Sequence, residues 1–97
     1  MKPSIILQQK RQDVQDIFAK YPLISNPRVF GSVCRSKDTE DSDIDFLVKV
    51  QEGVGLLMLS RLHNELHDLL GKDIDLLTEA QLPPKSKDLI LEEAIAL

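Results

Sequence analysis

The stretch VFGSVCRSKDTEDSDIDFLV, Val29–Val48, sets two short apolar runs on either side of a Gly-Ser turn and an acidic loop. Asp38, Glu40, Asp41, Asp43 and Asp45 place five acids within it, with no Lys or Arg from 38 to 45. The whole chain carries a formal charge of −4, so the remainder is close to neutral and the acidity is local. A solvated loop holds such charge cheaply. A metal site needs it at defined spacing, and the surrounding sequence has to choose.

Working outward, Ile44–Val50 (IDFLVKV) reads as a strand and Arg28–Gly31 as a shorter one ending on the turn. Upstream, Ser4–Lys20 has apolar residues at Ile6, Leu7, Val14, Ile17 and Phe18, the spacing of an amphipathic helix with Ser4 as its N-cap. Pro22 and Pro27 then interrupt helix. Downstream, QEGVG is a loop and Leu56–Leu70 a helix striped by Leu59, Leu62, Leu66 and Leu69/Leu70, with Gly71 just past its end. KDIDLL gives a third strand, Pro83-Pro84 punctuate, and Ser86–Leu97 reads as a closing helix. The order α-β-β-α-β-α predicts one α/β (α+β) domain over residues 1–97, a small mixed sheet of about three strands flanked by helices. Residues 44 to 78 suit a right-handed parallel crossover.

Composition narrows the function. Four aromatics, no Trp and an acidic balance argue against direct nucleic-acid binding. One cysteine rules out an internal disulfide and suits a reducing compartment. No apolar run approaches the roughly 18 residues of a membrane span, and the N-terminus lacks a secretion signal, so the expected location is cytoplasmic, without membrane.

Alternation along a strand points Asp43 and Asp45 to one face while Ile44 and Phe46 turn into the core. Two carboxylates so placed repel unless a cation lies between them, and Mg²⁺ suits hard oxygen ligands completed by water and phosphate. DIDFLV at 43–48 is echoed by DIDLLT at 73–78, so Asp73 and Asp75 form a second same-face pair. If the two strands are neighbours, a third carboxylate joins the first two. An EF-hand count from Asp41 also finds Asp43, Asp45 and Glu52, but Phe46 stands where the loop needs Gly. Gly31 allows a bulky anion close to the backbone, Ser32 adds a hydroxyl, and Arg35 offers a forked donor for phosphate. Cys34 reads as a packed thiol, His63 and His67 as helix surface, and Gly53 and Gly55 as loop freedom.

Gly-Ser, ten residues, then Asp-x-Asp resembles the nucleotidyltransferase signature of the polymerase-β superfamily, most closely the minimal nucleotidyltransferases (MNT). The resemblance covers nearly the whole chain from Ile5 and implies the nucleotidyltransferase fold. Carried over, it makes Gly31 and Ser32 the triphosphate turn, with Arg35 beside it. It makes Asp43 and Asp45 Mg²⁺ ligands, in a site suited to two metal ions, and Asp75 the third carboxylate, ligand or base. Asp75 is preferred to Asp73 because it precedes LL as Asp45 precedes FL. Where the family commonly has Ala-Arg-Gly, this chain has Cys34-Arg35-Ser36. The resemblance further implies ATP as substrate, a helical HEPN-type toxin as partner, and an antitoxin that transfers AMP to a toxin tyrosine. Two other readings stand beside it: an antitoxin that silences its toxin by binding alone, and a nucleotidyltransferase acting on a small molecule with a partner subunit.

Overall fold

The computed structural model describes residues Met1–Leu97. Its centre is a four-stranded sheet in the order β3-β2-β1-β4, where β1 is Ile24–Phe30, β2 Ile44–Val50, β3 Ile74–Thr78 and β4 Ile95–Ala96. β2 runs antiparallel to β1 and parallel to β3, and β4 runs antiparallel to β1. The parallel pair is joined through the helix α4, Leu56–Leu70, because parallel strands need a crossover rather than a hairpin.

Both faces of the sheet are covered. On one face Val14, Phe18, Leu62, Leu66 and Leu70 pack from helices onto Val29, Ile44, Phe46, Val48 and Ile74. Phe18 and Phe46 meet in a tilted ring pair 5.8 Å apart. On the other face Phe30, Leu47 and Leu82 form a smaller cluster with Leu77, Ile90 and Leu91. Phe46, Leu47 and Val48 are therefore all fully buried, which explains why β2 is a continuous apolar run. Each such side chain contributes about 1.5–3 kcal/mol of burial.

Three boundaries depart from the sequence reading. The N-terminal helix is two pieces, α1 (Pro3–Gln9) and α2 (Arg11–Ala19), broken at Lys10 with φ −107°. A tertiary contact accompanies the break: Lys10 Nζ donates to Leu69 O at 2.8 Å, at the end of α4. Ser4 is not the N-cap. Lys2 occupies that position, Pro3 opens the helix, and the Ser4 N–H is itself bound by Asp38 Oδ2 at 2.9 Å. One acid of the loop is thus a cap for a helix 34 residues away in sequence.

The second departure is β1, which begins at Ile24 rather than Arg28. Two residues, Asn26 and Pro27, stand where β2 has one, and Asn26 takes φ 52°. A bulge absorbs the proline that otherwise argues against a strand. The third is the C-terminus. α5 ends at Glu93 and the chain turns extended at Ala94, so Ile95 and Ala96 pair with Val29 and Arg28 as a fourth strand. By contrast α4 ends as its sequence predicts, with Gly71 at φ 67° donating its N–H to His67 O at 2.8 Å.

Candidate active site

The end of β1 and the starts of β2 and β3 lie at one end of the sheet. In the antiparallel pair Phe30 stands opposite Asp45, and in the parallel pair Asp45 stands opposite Asp75. The DID echo has become two adjacent strands in register, Ile44 beside Ile74 and Asp45 beside Asp75. Neighbouring strands are about 4.8 Å apart. Asp43 and Asp73 each sit one residue ahead of their strands, both exposed. Leu47 belongs to the smaller cluster and Leu77 packs against it. Two residues earlier on the same strands, Asp45 and Asp75 share that face.

Gly31 follows Phe30 and meets Asp45 directly. Its φ is +75°, and a Cβ built there would collide with Asp45 Oδ2. Glycine is required twice over, by the left-handed backbone and by the carboxylate pressed against it. From Gly31 the chain makes a single helical turn, α3 (Gly31–Cys34), with Ser32 partly exposed at its start.

Asp45 is half-buried, and its carboxyl is pushed up to about 6. Burial is the largest cause, followed by the charges of Asp75 and Asp43 and a hydrogen bond to Asp75, with Arg35 opposing. None of Asp43, Asp45 and Asp75 forms a salt bridge. Negative charge is gathered here with no ion pair to balance it, which suits hard oxygen ligands for a divalent ion. No three His, Cys, Asp or Glu side chains converge into a ready-made cage. Mg²⁺ needs no such cage, because it takes one or two carboxylates and completes its shell with water and phosphate. One or two of Asp43, Asp45 and Asp75 would hold it.

Arg35 stands at the rim with its side chain 55% exposed, Nη1 3.2 Å from Glu93 Oε1. The Cys34 thiol donates to the Glu93 carbonyl at 3.0 Å, and burial together with the Glu93 charge pushes it up. It is a packed thiol with no base beside it. Asp38 is buried, and burial alone would raise it. Hydrogen bonds from the Ser4 backbone and side chain and its own N–H, with the Lys2 charge, outweigh that and hold it below the usual carboxylate value. Lys72 Nζ donates to Glu40 O from the opposite side of the loop.

Asp38, Lys72 and Glu93 were invisible to sequence reasoning as parts of this site, because each acts on a partner at least 32 residues away. His63 and His67 part company: His63 Nε2 meets Ile74 O at 2.8 Å, while His67 lies exposed beside Asp68. Asp41 to Glu52 is no calcium loop, since Ile44–Val50 within it is strand. A cavity of about 280 Å³ lies elsewhere, between α1, α3 and β4, lined by Leu7, Val33, Cys34 and Leu97 among others and by none of Asp43, Asp45, Asp73 and Asp75.

A small mixed sheet with a glycine-opened turn and in-register acids at one end suits a divalent ion beside a bulky anion. Residues 12–97 match the family described as polymerase beta, nucleotidyltransferase. A Methanocaldococcus jannaschii protein provisionally named a protein adenylyltransferase is 46% identical over 72 residues, 74% of this chain and 77% of its own. The protein adenylyltransferase MntA of Thermococcus cleftensis is 37% identical over 67 residues, 69% of this chain and 68% of its own. A solved structure provisionally called a minimal nucleotidyltransferase superposes with a TM-score of 0.85 at 39% identity, covering 100% of this chain and 97% of that one. At 17% identity, a chain of a toxin-antitoxin complex with AMP-PNP shares the fold, with a TM-score of 0.73 over 90% of this chain and 70% of that one. The chain therefore belongs to the polymerase-β nucleotidyltransferase family, among its minimal members. It is a nucleotidyltransferase.

Proposed function

We propose that the chain is an antitoxin that transfers AMP from ATP to a tyrosine of a helical HEPN-type toxin, with Mg²⁺ as cofactor. Relatives named protein adenylyltransferase support the reaction, and the fold shared with a MntA-HepT toxin-antitoxin structure supports the kind of partner. The observation that carries the reading is the parallel register that lays Asp75 beside Asp45. It gathers Asp43, Asp45 and Asp75 next to a turn that a bulky anion can approach.

In this reading Gly31 and Ser32 cradle the triphosphate, and Arg35 adds its forked donors from the rim. One or two Mg²⁺ ions held by the acids would neutralise charge on the triphosphate. Asp75 is exposed and meets the incoming phenol. It takes the phenolic proton as the oxygen bonds to the α-phosphorus, and the bond to the bridging oxygen breaks so that pyrophosphate leaves.

The test uses ATP labelled at the α-phosphate, with the co-expressed toxin as acceptor. Label is expected on the toxin, and Asp43→Asn with Asp45→Asn should abolish it while leaving the complex intact. A double mutant that labels at the wild-type rate would remove these acids from the mechanism. A wild-type complex that forms but never labels would favour silencing by cover alone. Label appearing instead on a small-molecule acceptor would move the substrate class.

A further inference from the structure

We propose that His63 is a positioning residue for Asp75, pinning the open edge of β3 where that strand delivers the acid. The inference rests on Asp75 being a site residue. β3 is the outermost strand on its side of the sheet, bonded only to β2. It is five residues long, and three residues, Gly71–Asp73, link it to α4. Such a strand frays readily at its start unless something holds it from the open side.

Two consecutive carbonyls at that start are gripped from different elements. The Asp73 carbonyl accepts from Ile44 N–H of β2 at 3.0 Å. The next carbonyl along an extended strand points the other way, and here the Ile74 oxygen lies 2.8 Å from His63 Nε2 of α4. A carbonyl only accepts, so Nε2 carries the hydrogen. Asp75 is the next residue. The peptide between Ile74 and Asp75 is thus bound from the helix side while Asp45 fixes the register on the β2 side.

His63 lies one residue past Leu62 on α4, at the flank of the leucine stripe rather than in it. At this partly buried flank, packing does not call for an imidazole. An imidazole is needed only for the carbonyl. The other ring nitrogen is 3.5 Å from Asn64 Oδ1, too far to orient the ring. Removing the donor would leave the edge of β3 held from one side, and Asp75 would sample positions away from Asp45.

Gln and Asn separate this role from packing, because the Gln amide nitrogen reaches the place of Nε2 and that of Asn only the place of Nδ1. Mn²⁺ is the probe, followed by electron paramagnetic resonance on the full chain with a non-hydrolysable ATP analogue. Amide exchange at Asp75 and Leu76 is the second readout. His63→Leu and His63→Asn should weaken Mn²⁺ about tenfold and speed exchange, while His63→Gln restores both to near wild type. Asp75→Asn is the control for the underlying reading and should weaken Mn²⁺ more than any His63 variant. If Asp75→Asn binds Mn²⁺ like wild type, Asp75 is not a site residue and the proposal goes with it. If Asp75→Asn is weak but His63→Leu keeps native affinity and exchange, the His63 proposal alone is overturned. Equal losses in Gln, Asn and Leu that track melting temperature would assign His63 to packing and overturn it as well.

Discussion

DIDFL and DIDLL lie side by side in register, yet their second acids live in different surroundings. Asp45 is on the central strand, half-buried, with Gly31 pressed against its carboxylate and its proton held to about pH 6. Asp75 is on the edge strand and exposed. The same tripeptide becomes two different groups because one strand has neighbours on both sides and the other on one. Burial, more than sequence, sets what a carboxylate does. The enclosed acid suits holding a cation against phosphate, and the open one suits meeting an acceptor that comes from outside.

The largest effects should come from neutralising each acid in turn. Asp45→Asn and Asp75→Asn are each expected to lower AMP transfer on the order of a thousandfold, several kcal/mol of lost transition-state stabilisation. Asp73→Asn, outside the paired register, should change it little. Metal-free stability should move the opposite way. Asp45→Asn removes the half-buried charge and should raise the melting temperature, and Asp75→Asn should raise it less. Single-turnover transfer and thermal melts on the same three variants measure both. A larger rise for Asp75→Asn would reverse the burial argument, and a dead Asp73→Asn beside an active Asp75→Asn would exchange their roles.

Next in size is the contact that makes Asp45 the enclosed member of the pair. Gly31→Ala must put a Cβ into Asp45 Oδ2 at a φ of +75°. The left-handed backbone alone costs about 1–2 kcal/mol, and displacement of the carboxylate adds to it. Urea titration should therefore show a loss of about 2 kcal/mol or more. In Gly31→Ala/Asp45→Gly the collision is gone, and only the backbone part should remain. A double variant no more stable than Gly31→Ala would mean that the turn, not the acid, makes glycine necessary.

The pH dependence follows from the same burial. Asp45 in the folded chain binds its proton more tightly than an ordinary Asp at 3.8. Its contribution to metal-free stability is thus full below the unfolded value and is lost as pH rises through about 6. Mg²⁺ with ATP should take the place of that proton. The rise in melting temperature on adding them should therefore be larger at neutral pH than at about pH 5. A shift independent of pH would place the ion away from Asp45.

The readable parts of this fold were those whose signals lie within one element. The leucine stripe of α4 with Gly71 gave both helix ends, and the DID echo gave a register that the sheet then displays. What escaped depends on contacts between distant residues. The break at Lys10 coincides with its bond to Leu69, and the cap of α1 comes from Asp38. The fourth strand is two residues whose apolar spacing continues that of α5, so only pairing with β1 distinguishes it from helix. In the site, the acids and the turn were legible as a spacing. Glu93 behind Arg35 and His63 behind β3 were not, since neither belongs to the motif.

The smallest expected effect lies in the loop that brings Asp43 to the pair. Ser36 takes a φ of 57°, in the left-handed region that favours glycine. The backbone holds a left-handed turn on a residue that does not favour it. A left-handed non-glycine residue costs about 1–2 kcal/mol, and glycine loses roughly 0.5–1 kcal/mol more conformational freedom on folding. The difference favours glycine slightly, so Ser36→Gly should stabilise by up to about 1 kcal/mol. The turn is already formed, so Asp43 stays in place and AMP transfer should be unchanged. Chemical denaturation and the transfer assay read the two halves. Destabilisation would show that the Ser36 side chain supports the loop. A change in transfer at equal stability would show that freedom of this turn, and not only the burial of Asp45, sets how the acids meet their substrate.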